Sequence, residues 1–132
     1  MANSASRPFR FLLDNTTGVP VYRQLIDQVL VAISADSLRP GDQLPTVRQV
    51  AVDLSINPNT VVRAYKELEI RGILATQQGT GTFITTKKVE QDEVTRQRRL
   101  AQLVSDLIAK AGAEGYSIQE VQKSLLELFE RS

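Results

Sequence analysis

Polar side chains recur at helical spacing near the middle of the chain. Asn59, Arg63 and Lys66 stand at positions i, i+4 and i+7, so in a helix they share one face. The guanidinium of arginine has the planar fork that pairs with guanine O6 and N7, and lysine can reach a phosphate. With Thr60, Asn59 lies in the first helical turn, where free backbone N–H groups and the helix dipole favour a phosphate. The pattern indicates contact with duplex DNA.

Two further features would flank this helix on a duplex. Arg48 lies on the outer side of the preceding helix, where it can clamp the sugar–phosphate backbone. The stretch Gln78–Gly81 predicts a hairpin tip. Gly79 and Gly81, with Thr80 between them, would let that tip lie flat along a minor groove and donate backbone N–H groups to phosphate.

The helices that position these residues carry clear start signals. Thr46 followed by Gln49 forms a capping box for a second helix. Asn57 is a preferred N-cap for a third helix, and Pro58 suits its first position. Gly72 supplies the left-handed stop after Arg71. A short second helix joined tightly to a third is typical of a helix-turn-helix.

The surrounding segments complete a winged helix-turn-helix. A first amphipathic helix begins near Pro20. Two β-strands, Ile73–Gln77 and Thr82–Thr86, follow the third helix as a hairpin. At the other end, Phe9–Leu13 predicts either a strand or an extended arm, and residues 1–8 predict a flexible tail.

The last third of the chain predicts two helices. A linker, Lys87–Gln91, precedes a helix of roughly 24 residues that Gly112 and Gly115 break. Ser117 and Glu120 form a capping box for a final helix of roughly 15 residues. Both helices carry apolar stripes that a monomer would leave wet, so we expect them to pair with a second copy rather than fold back onto their own domain. The predicted dimer interface comprises Leu100, Leu103, Val104, Leu107, Ile108, Ile118, Val121, Leu125, Leu128 and Phe129.

Composition excludes several classes of function. The chain has 132 residues, no cysteine and no histidine, which removes thiolate zinc sites, disulfides and Ser-His or Cys-His catalysis. We therefore expect no catalytic residues, no metal and no cofactor. Apolar runs are too short to cross a membrane. A net charge of +1 gives no support to polybasic, nonspecific binding, so any DNA contact must rest on a few well-placed cations.

Alternatives stay open at this level. The Arg63 and Lys66 face could be an ordinary solvated surface, and the domain could be a protein-interaction module without DNA recognition. An enzyme that uses carboxylates or lysine has the least support. A small-molecule effector, acting through the junction Lys87–Arg99, is motivated only by the need of a repressor for a release mechanism.

Five segments together resemble the DNA-binding domain of GntR-type bacterial transcription regulators. The resemblance implies a winged-helix fold, a homodimer, a palindromic operator, and DNA contacts by Arg48, Thr60, Arg63 and the wing glycines. At the wing tip, Thr80 stands where many relatives have a basic residue. The matching segments are Val19–Leu25, Leu44–Ala51, Asn57–Val61, Ala64–Glu69 and Gly79–Ile84, with Gly72 between the last two.

The short tail further resembles the YtrA branch of that family, in which it serves dimerisation, because 46 residues are too few for the larger effector-binding domains. The sequence therefore predicts a mainly α fold with a small β-hairpin, divided into a flexible tail (1–8), a winged helix-turn-helix domain (9–86) and a two-helix dimerisation segment (87–132). We expect a cytoplasmic, nucleoid-associated DNA-binding repressor.

Overall fold

The computed structural model describes residues 9–85 and 92–131, and its elements follow the predicted order of three helices, a hairpin and two helices. The predicted fold class is therefore confirmed. The predicted tail 1–8 and linker 87–91, with Thr86, lie outside the described residues. The chain divides into two compact units, Met1–Lys87 and Lys88–Ser132. The elements are α1 (Val21–Ser34), α2 (Val47–Leu54), α3 (Pro58–Ile70), β1 (Leu74–Gln77), β2 (Gly81–Ile84), α4 (Glu93–Ala113) and α5 (Ile118–Arg131).

Side-chain caps start α2 and α3 where the sequence predicts them. The N–H of Gln49 donates to Thr46 Oγ1 at 3.1 Å, and the N–H of Asn59 donates to Asn57 Oδ1 at 2.8 Å. Between the helices, Ser55 adopts a left-handed conformation with φ of 55°. That reversal lets three residues join α2 to α3, so the two helices turn sharply without a longer loop.

The core of the first unit forms around α3, which contacts α1, α2 and β1. One face of α3 is buried through Val61, Ala64, Tyr65 and Leu68. Burial of apolar surface contributes about 25 cal/mol per Å², so this face stabilises the unit together with the side chains that pack against it. Its opposite face is left to solvent. The buried partners on the other elements are Phe11, Leu25, Ile26, Val29, Ala32, Leu38, Leu44, Val50, Ala51, Leu74 and Ile84.

Tyr65 ties α3 to the segment before α2. Its hydroxyl donates to the carbonyl oxygen of Pro45 at 2.6 Å. Burial raises the pKa of Tyr65 well above the ordinary value, because an ionised phenolate would lose its hydration. This bond fixes the segment before α2 against α3.

Replacing Tyr65 by Phe is expected to lower the free energy of unfolding by about 1–2 kcal/mol, because the Pro45 carbonyl loses its donor. In the wild type, folding raises the pKa of the Tyr65 phenol. The stability that the hydroxyl contributes is therefore fully present below the pKa of about 10 in the unfolded chain, and it declines as the pH rises above that value. Urea unfolding at pH 7 and pH 11 should therefore show the difference between wild type and Tyr65→Phe shrinking at the higher pH. A difference independent of pH would contradict burial of the phenol.

The hairpin is shorter than predicted and has an additional neighbour. Residue pairs run from Leu74 opposite Ile84 to Gln77 opposite Gly81. Ile73, predicted as the first strand residue, instead donates its N–H to the Leu68 carbonyl and completes the end of α3. The segment before α2 pairs with the other edge of β2 through a bridge between Gln43 and Phe83, which the sequence analysis did not anticipate.

An extended arm, not a strand, precedes α1. Phe11 is buried and makes an edge contact with Phe9 at a centroid distance of 4.8 Å. The Gln28 side chain accepts from the N–H of Leu12 at 2.9 Å and donates to the Leu12 carbonyl. Gln24 makes the same pair of bonds with Asp14. Two glutamines one turn apart thus satisfy the arm backbone as a neighbouring strand would.

The second unit consists of α4 and α5. Asp92 caps α4 by accepting from the N–H of Thr95 at 2.8 Å. Ser117 and Glu120 form the predicted reciprocal capping box at 3.1 and 3.2 Å. The predicted break at Gly112 is wrong, because α4 runs through it to Ala113 and turns at Gly115. Among the described residues, no helix is long and apolar enough to cross a membrane.

Candidate nucleic-acid interface

The outward face of α3 carries the polar side chains that the sequence singled out. Asn59, Arg63 and Lys66 are all exposed, and Thr60 is half-buried. The buried face of the same helix points into the core, so the exposed face has a fixed direction. A polar, cationic stripe on a rigidly packed helix is the arrangement that enters a major groove.

The expectation of free N–H groups in the first turn of α3 is wrong at both residues concerned. The Asn59 N–H donates to Asn57 Oδ1, and the Thr60 N–H donates to the Asn57 carbonyl at 3.0 Å. Asn57 therefore satisfies the donors that a phosphate would have used. Contact with DNA at these two positions must come from side chains, not from the backbone.

Among the residues that the structure describes, the exposed cations Arg48, Arg63 and Lys66 have no carboxylate partner. Within residues 9–85 and 92–131, the ion pairs join Arg23 to Asp27 at 3.5 Å and Arg71 to Glu67 at 3.1 Å, and Arg48, Arg63 and Lys66 take part in neither. Arg48 is exposed on α2. Because these side chains are not neutralised by a neighbour, they remain available to phosphates or base edges.

Arg63 makes one contact that the sequence did not reveal. Its guanidinium carbon lies 3.7 Å from the centroid of the Tyr22 ring on α1. Tyr22 is half-buried and packs against the core, so the ring is both a core residue and a support for a cation. No spacing rule connects residues 41 positions apart, so the sequence pattern did not predict this contact.

The β1–β2 hairpin is the wing of this fold, and its tip is the sharp turn that Gly79 and Gly81 predict. Gly79 has φ of 81° and Gly81 φ of 135°, both outside the range that a residue with a side chain adopts easily. Thr80 is exposed at the tip, but its N–H donates to the Gln77 carbonyl at 2.9 Å. The turn therefore occupies the Thr80 N–H, and donation to phosphate by the N–H groups of Gly79 and Gly81 stays a prediction.

Gln43 supports the wing and was missed by the sequence analysis. Its side-chain amide donates to the Thr80 carbonyl at 3.1 Å. It also lies against Gly81 so closely that a Cβ there would collide with the amide nitrogen. Gln43 lies in the segment that leads into α2. Its hydrogen bond to Thr80 therefore connects the tip of the wing to the start of the helix-turn-helix.

Gly79 and Gly81 offer a matched pair of substitutions. Gly79→Ala meets open space and should cost about 1 kcal/mol of unfolding free energy from the left-handed backbone alone. Gly81→Ala should cost about 2–3 kcal/mol, because its φ is less accessible and its Cβ displaces Gln43. Thermal or urea unfolding measures both losses. Most of the Gly81 penalty comes from its φ of 135°, so a Gln43→Ala background should reduce it only in part, and an unchanged penalty in that background would contradict the close approach.

The second unit exposes a broad apolar surface. Leu100, Leu103, Val104 and Leu107 of α4 are each about half exposed, at 49–55%. On α5, Ile118, Leu125, Leu128 and Phe129 are exposed, whereas Ile108 and Val121 of the predicted interface are half-buried. Val94, Tyr116 and Leu126 add exposed apolar area that the prediction did not include. Exposed apolar side chains at helical spacing are typical of a surface that binds a partner.

Among the described residues, no group of three acidic side chains is placed to hold a metal ion. The candidate interface consists of cations, amides and hydroxyls on α2, α3 and the hairpin. These groups match the donors that contact phosphates and base edges in duplex DNA.

Comparison with other proteins agrees with this geometry. The family model of bacterial regulatory proteins of the gntR family matches residues 21–84. Over 98 residues the chain is 40% identical to the HTH-type transcriptional repressor YtrA of Bacillus subtilis (strain 168), covering 71% of this chain and 75% of YtrA. It is 44% identical over 75 residues to the HTH-type transcriptional regulator YhcF of the same organism, covering 57% of this chain and 62% of YhcF, less than two thirds of that protein.

Solved structures share the fold across both units. A transcriptional regulator from Oenococcus oeni is 36% identical with a TM-score of 0.56, covering 88% of this chain and 96% of that one. YtrA from Sulfolobus acidocaldarius, a GntR-family transcription factor, is 26% identical with a TM-score of 0.57, covering 75% of this chain and 97% of that one. The family-model match over residues 21–84, the 40% identity to YtrA of Bacillus subtilis and these solved structures agree with one another. Together they show that the chain is a YtrA-like, DNA-binding transcription regulator that belongs to the GntR family.

Proposed function

We propose that the chain is a repressor that binds a palindromic operator as a homodimer, with α3 in the major groove and the wing at the minor groove. One observation carries the proposal. The outward face of α3 presents Asn59, Arg63 and Lys66 to solvent, while its other face is fixed in the core. In this placement Arg63 reads a base edge, and Asn59 and Thr60 contribute side-chain contacts at the entrance to the groove.

The other contacts hold the domain in register on the duplex. Arg48 and Lys66 bind phosphates on either side of the groove, and Thr80 at the wing tip lies along the neighbouring minor groove. Gly79 and Gly81 keep the tip narrow. Because Thr80 is uncharged, the wing helps to orient the domain on the duplex but adds little electrostatic affinity. The affinity of the domain for DNA therefore depends chiefly on α3.

Dimerisation follows from the apolar stripe of α4. Leu100, Leu103, Val104 and Leu107 stand at helical spacing and are half exposed. A second copy related by a two-fold axis would cover this stripe with the same residues. Two DNA-binding domains on one dimer require two half-sites of inverted sequence, which is the origin of a palindromic operator.

The repressor assignment is supported by likeness to YtrA of Bacillus subtilis, a transcriptional repressor. A repressor that binds the bacterial chromosome acts in the cytoplasm, with double-stranded DNA and a second copy of the chain as partners. An effector would have to change the affinity of the dimer for its operator. The predicted signalling junction, Lys87–Arg99, lies partly outside the described residues.

Selection of bound duplexes from a random DNA pool tests this function. The expected result is an inverted repeat whose two half-sites are bound by one dimer, with an affinity that falls steeply as salt rises. Analytical ultracentrifugation of the protein with the selected duplex gives the stoichiometry. Failure to enrich any duplex sequence would instead favour a protein-interaction module.

A further inference from the structure

The contact between Arg63 and Tyr22 joins α3 to α1 through a cation and an aromatic face. The guanidinium carbon lies 3.7 Å from the ring centroid, which is van der Waals contact. Tyr22 is half-buried against the core, so its ring does not move freely. The two helices are fixed to one another by fully buried side chains, among them Leu25 and Val61.

We propose that Tyr22 is a positioning residue that orients Arg63 before DNA binds, and so sets the base preference at one position of each half-site. This inference rests on the proposed function. A free arginine side chain samples many rotamers, and binding a base freezes them. Stacking on a fixed ring selects one orientation in advance, so less freedom is lost when the base is bound.

The stack leaves the readout chemistry of Arg63 intact. The ring attracts the guanidinium through its charge, whereas the five N–H donors lie in the guanidinium plane. A cation held by its face can therefore still offer a bidentate edge to guanine O6 and N7. Within the part of the chain that the structure describes, Arg63 joins no ion pair, so the ring is the contact that directs it.

Three single variants separate positioning from general stability. Tyr22→Leu removes the aromatic face while keeping an apolar side chain, Tyr22→Phe keeps the face and removes the hydroxyl, and Val21→Ala trims a half-buried neighbour on the same helix. Affinity is measured for the selected operator and for operators with one base pair replaced at each position in turn. Thermal unfolding of each variant monitors the fold.

Tyr22→Leu is expected to weaken operator binding by about threefold per half-site, or about tenfold for a dimer on both. It should also relax discrimination at the one base pair that Arg63 reads. Tyr22→Phe should retain that discrimination, and Val21→Ala should leave it unchanged. In an Arg63→Ala background, Tyr22→Leu should cost nothing further, because the side chain it orients is absent.

A measurement on the wild-type protein alone tests the stack without any variant. In the nuclear magnetic resonance spectrum, the Arg63 side-chain protons should be shifted upfield by the Tyr22 ring. Absence of that shift would overturn the proposal. Two other results would do the same: a Tyr22→Leu protein that keeps wild-type base selectivity, or a Tyr22→Leu substitution that lowers operator affinity equally in the wild-type and Arg63→Ala backgrounds. If the wild type bound no duplex at all, the proposed function would fail together with this inference, whereas specific binding that ignores Tyr22 would overturn this inference alone.

Discussion

Arg63→Ala is expected to weaken binding to the selected operator by about 1–3 kcal/mol for each half-site and to abolish discrimination at one base pair in each. Arg63 is exposed on α3 and joins no ion pair among the described residues, and its contact with the Tyr22 ring is a weak surface contact, so most of the loss would be that of a base contact. Titration against the operator and its single-base variants measures both effects. The free energy of unfolding should change little, since the side chain is on the surface.

Lys66→Ala is the matched control, because Lys66 lies on the same exposed face and carries the same charge. A phosphate contact carries no sequence information, so this variant should weaken binding to all duplexes almost equally and reduce the salt dependence by about one ion per chain. If Arg63→Ala behaved like Lys66→Ala, with uniform loss and unchanged base preference, the readout role of Arg63 would be wrong.

Leu107→Asp is expected to separate the dimer into monomers and to lower operator affinity by about 100-fold or more. Leu107 is 49% exposed in the single chain, and the proposed dimer would bury it among other apolar side chains. A carboxylate there would lose its hydration without a partner. A monomer also loses the linkage between two half-sites, which on its own contributes roughly 10²–10⁴ in affinity. Sedimentation velocity and operator titration measure the two consequences.

Ser105→Asp provides the control for charge, because it adds the same carboxylate on the opposite side of α4, where the side chain is exposed. It should leave the chain dimeric and the operator affinity within about twofold. A Leu107→Asp protein that stayed dimeric and bound the operator normally would show that the α4 stripe is not the interface.

Local signals explain why so much of the fold was predictable. Thr46 and Asn57 announce their helices through caps that depend on residues two or three positions away, and the structure confirms both. The Asn57 cap conflicts with a second expectation, that of a free N–H at Asn59. A cap by Asn57 necessarily occupies the Asn59 N–H, so this group could not also have been free for a phosphate.

Contacts between distant parts of the chain were beyond the reach of spacing rules. Gln43 donates to the Thr80 carbonyl 37 residues later in the chain, and Tyr22 of α1 contacts Arg63 of α3. Hydrophobic periodicity reveals neither contact. At Gly112 the error was to give a local signal too much weight. A single glycine destabilises a helix by only about 1 kcal/mol, and α4 continues through it. The positions of the candidate DNA-binding side chains were predictable, but the contacts that hold them in place were not.

The central claim is that α3 lies in the major groove, and a disulfide cross-link tests it most directly. The chain has no cysteine, so Asn59→Cys introduces a unique thiol on the exposed face of α3, and Thr80→Cys does so at the wing tip. Each is offered operators that carry a tethered thiol either at cytosine C5, in the major groove, or at guanine N2, in the minor groove. Asn59→Cys should link to the major-groove tether in both half-sites, and Thr80→Cys to the minor-groove tether. Cross-linking of Asn59→Cys through the minor groove, or to neither tether, would contradict the account.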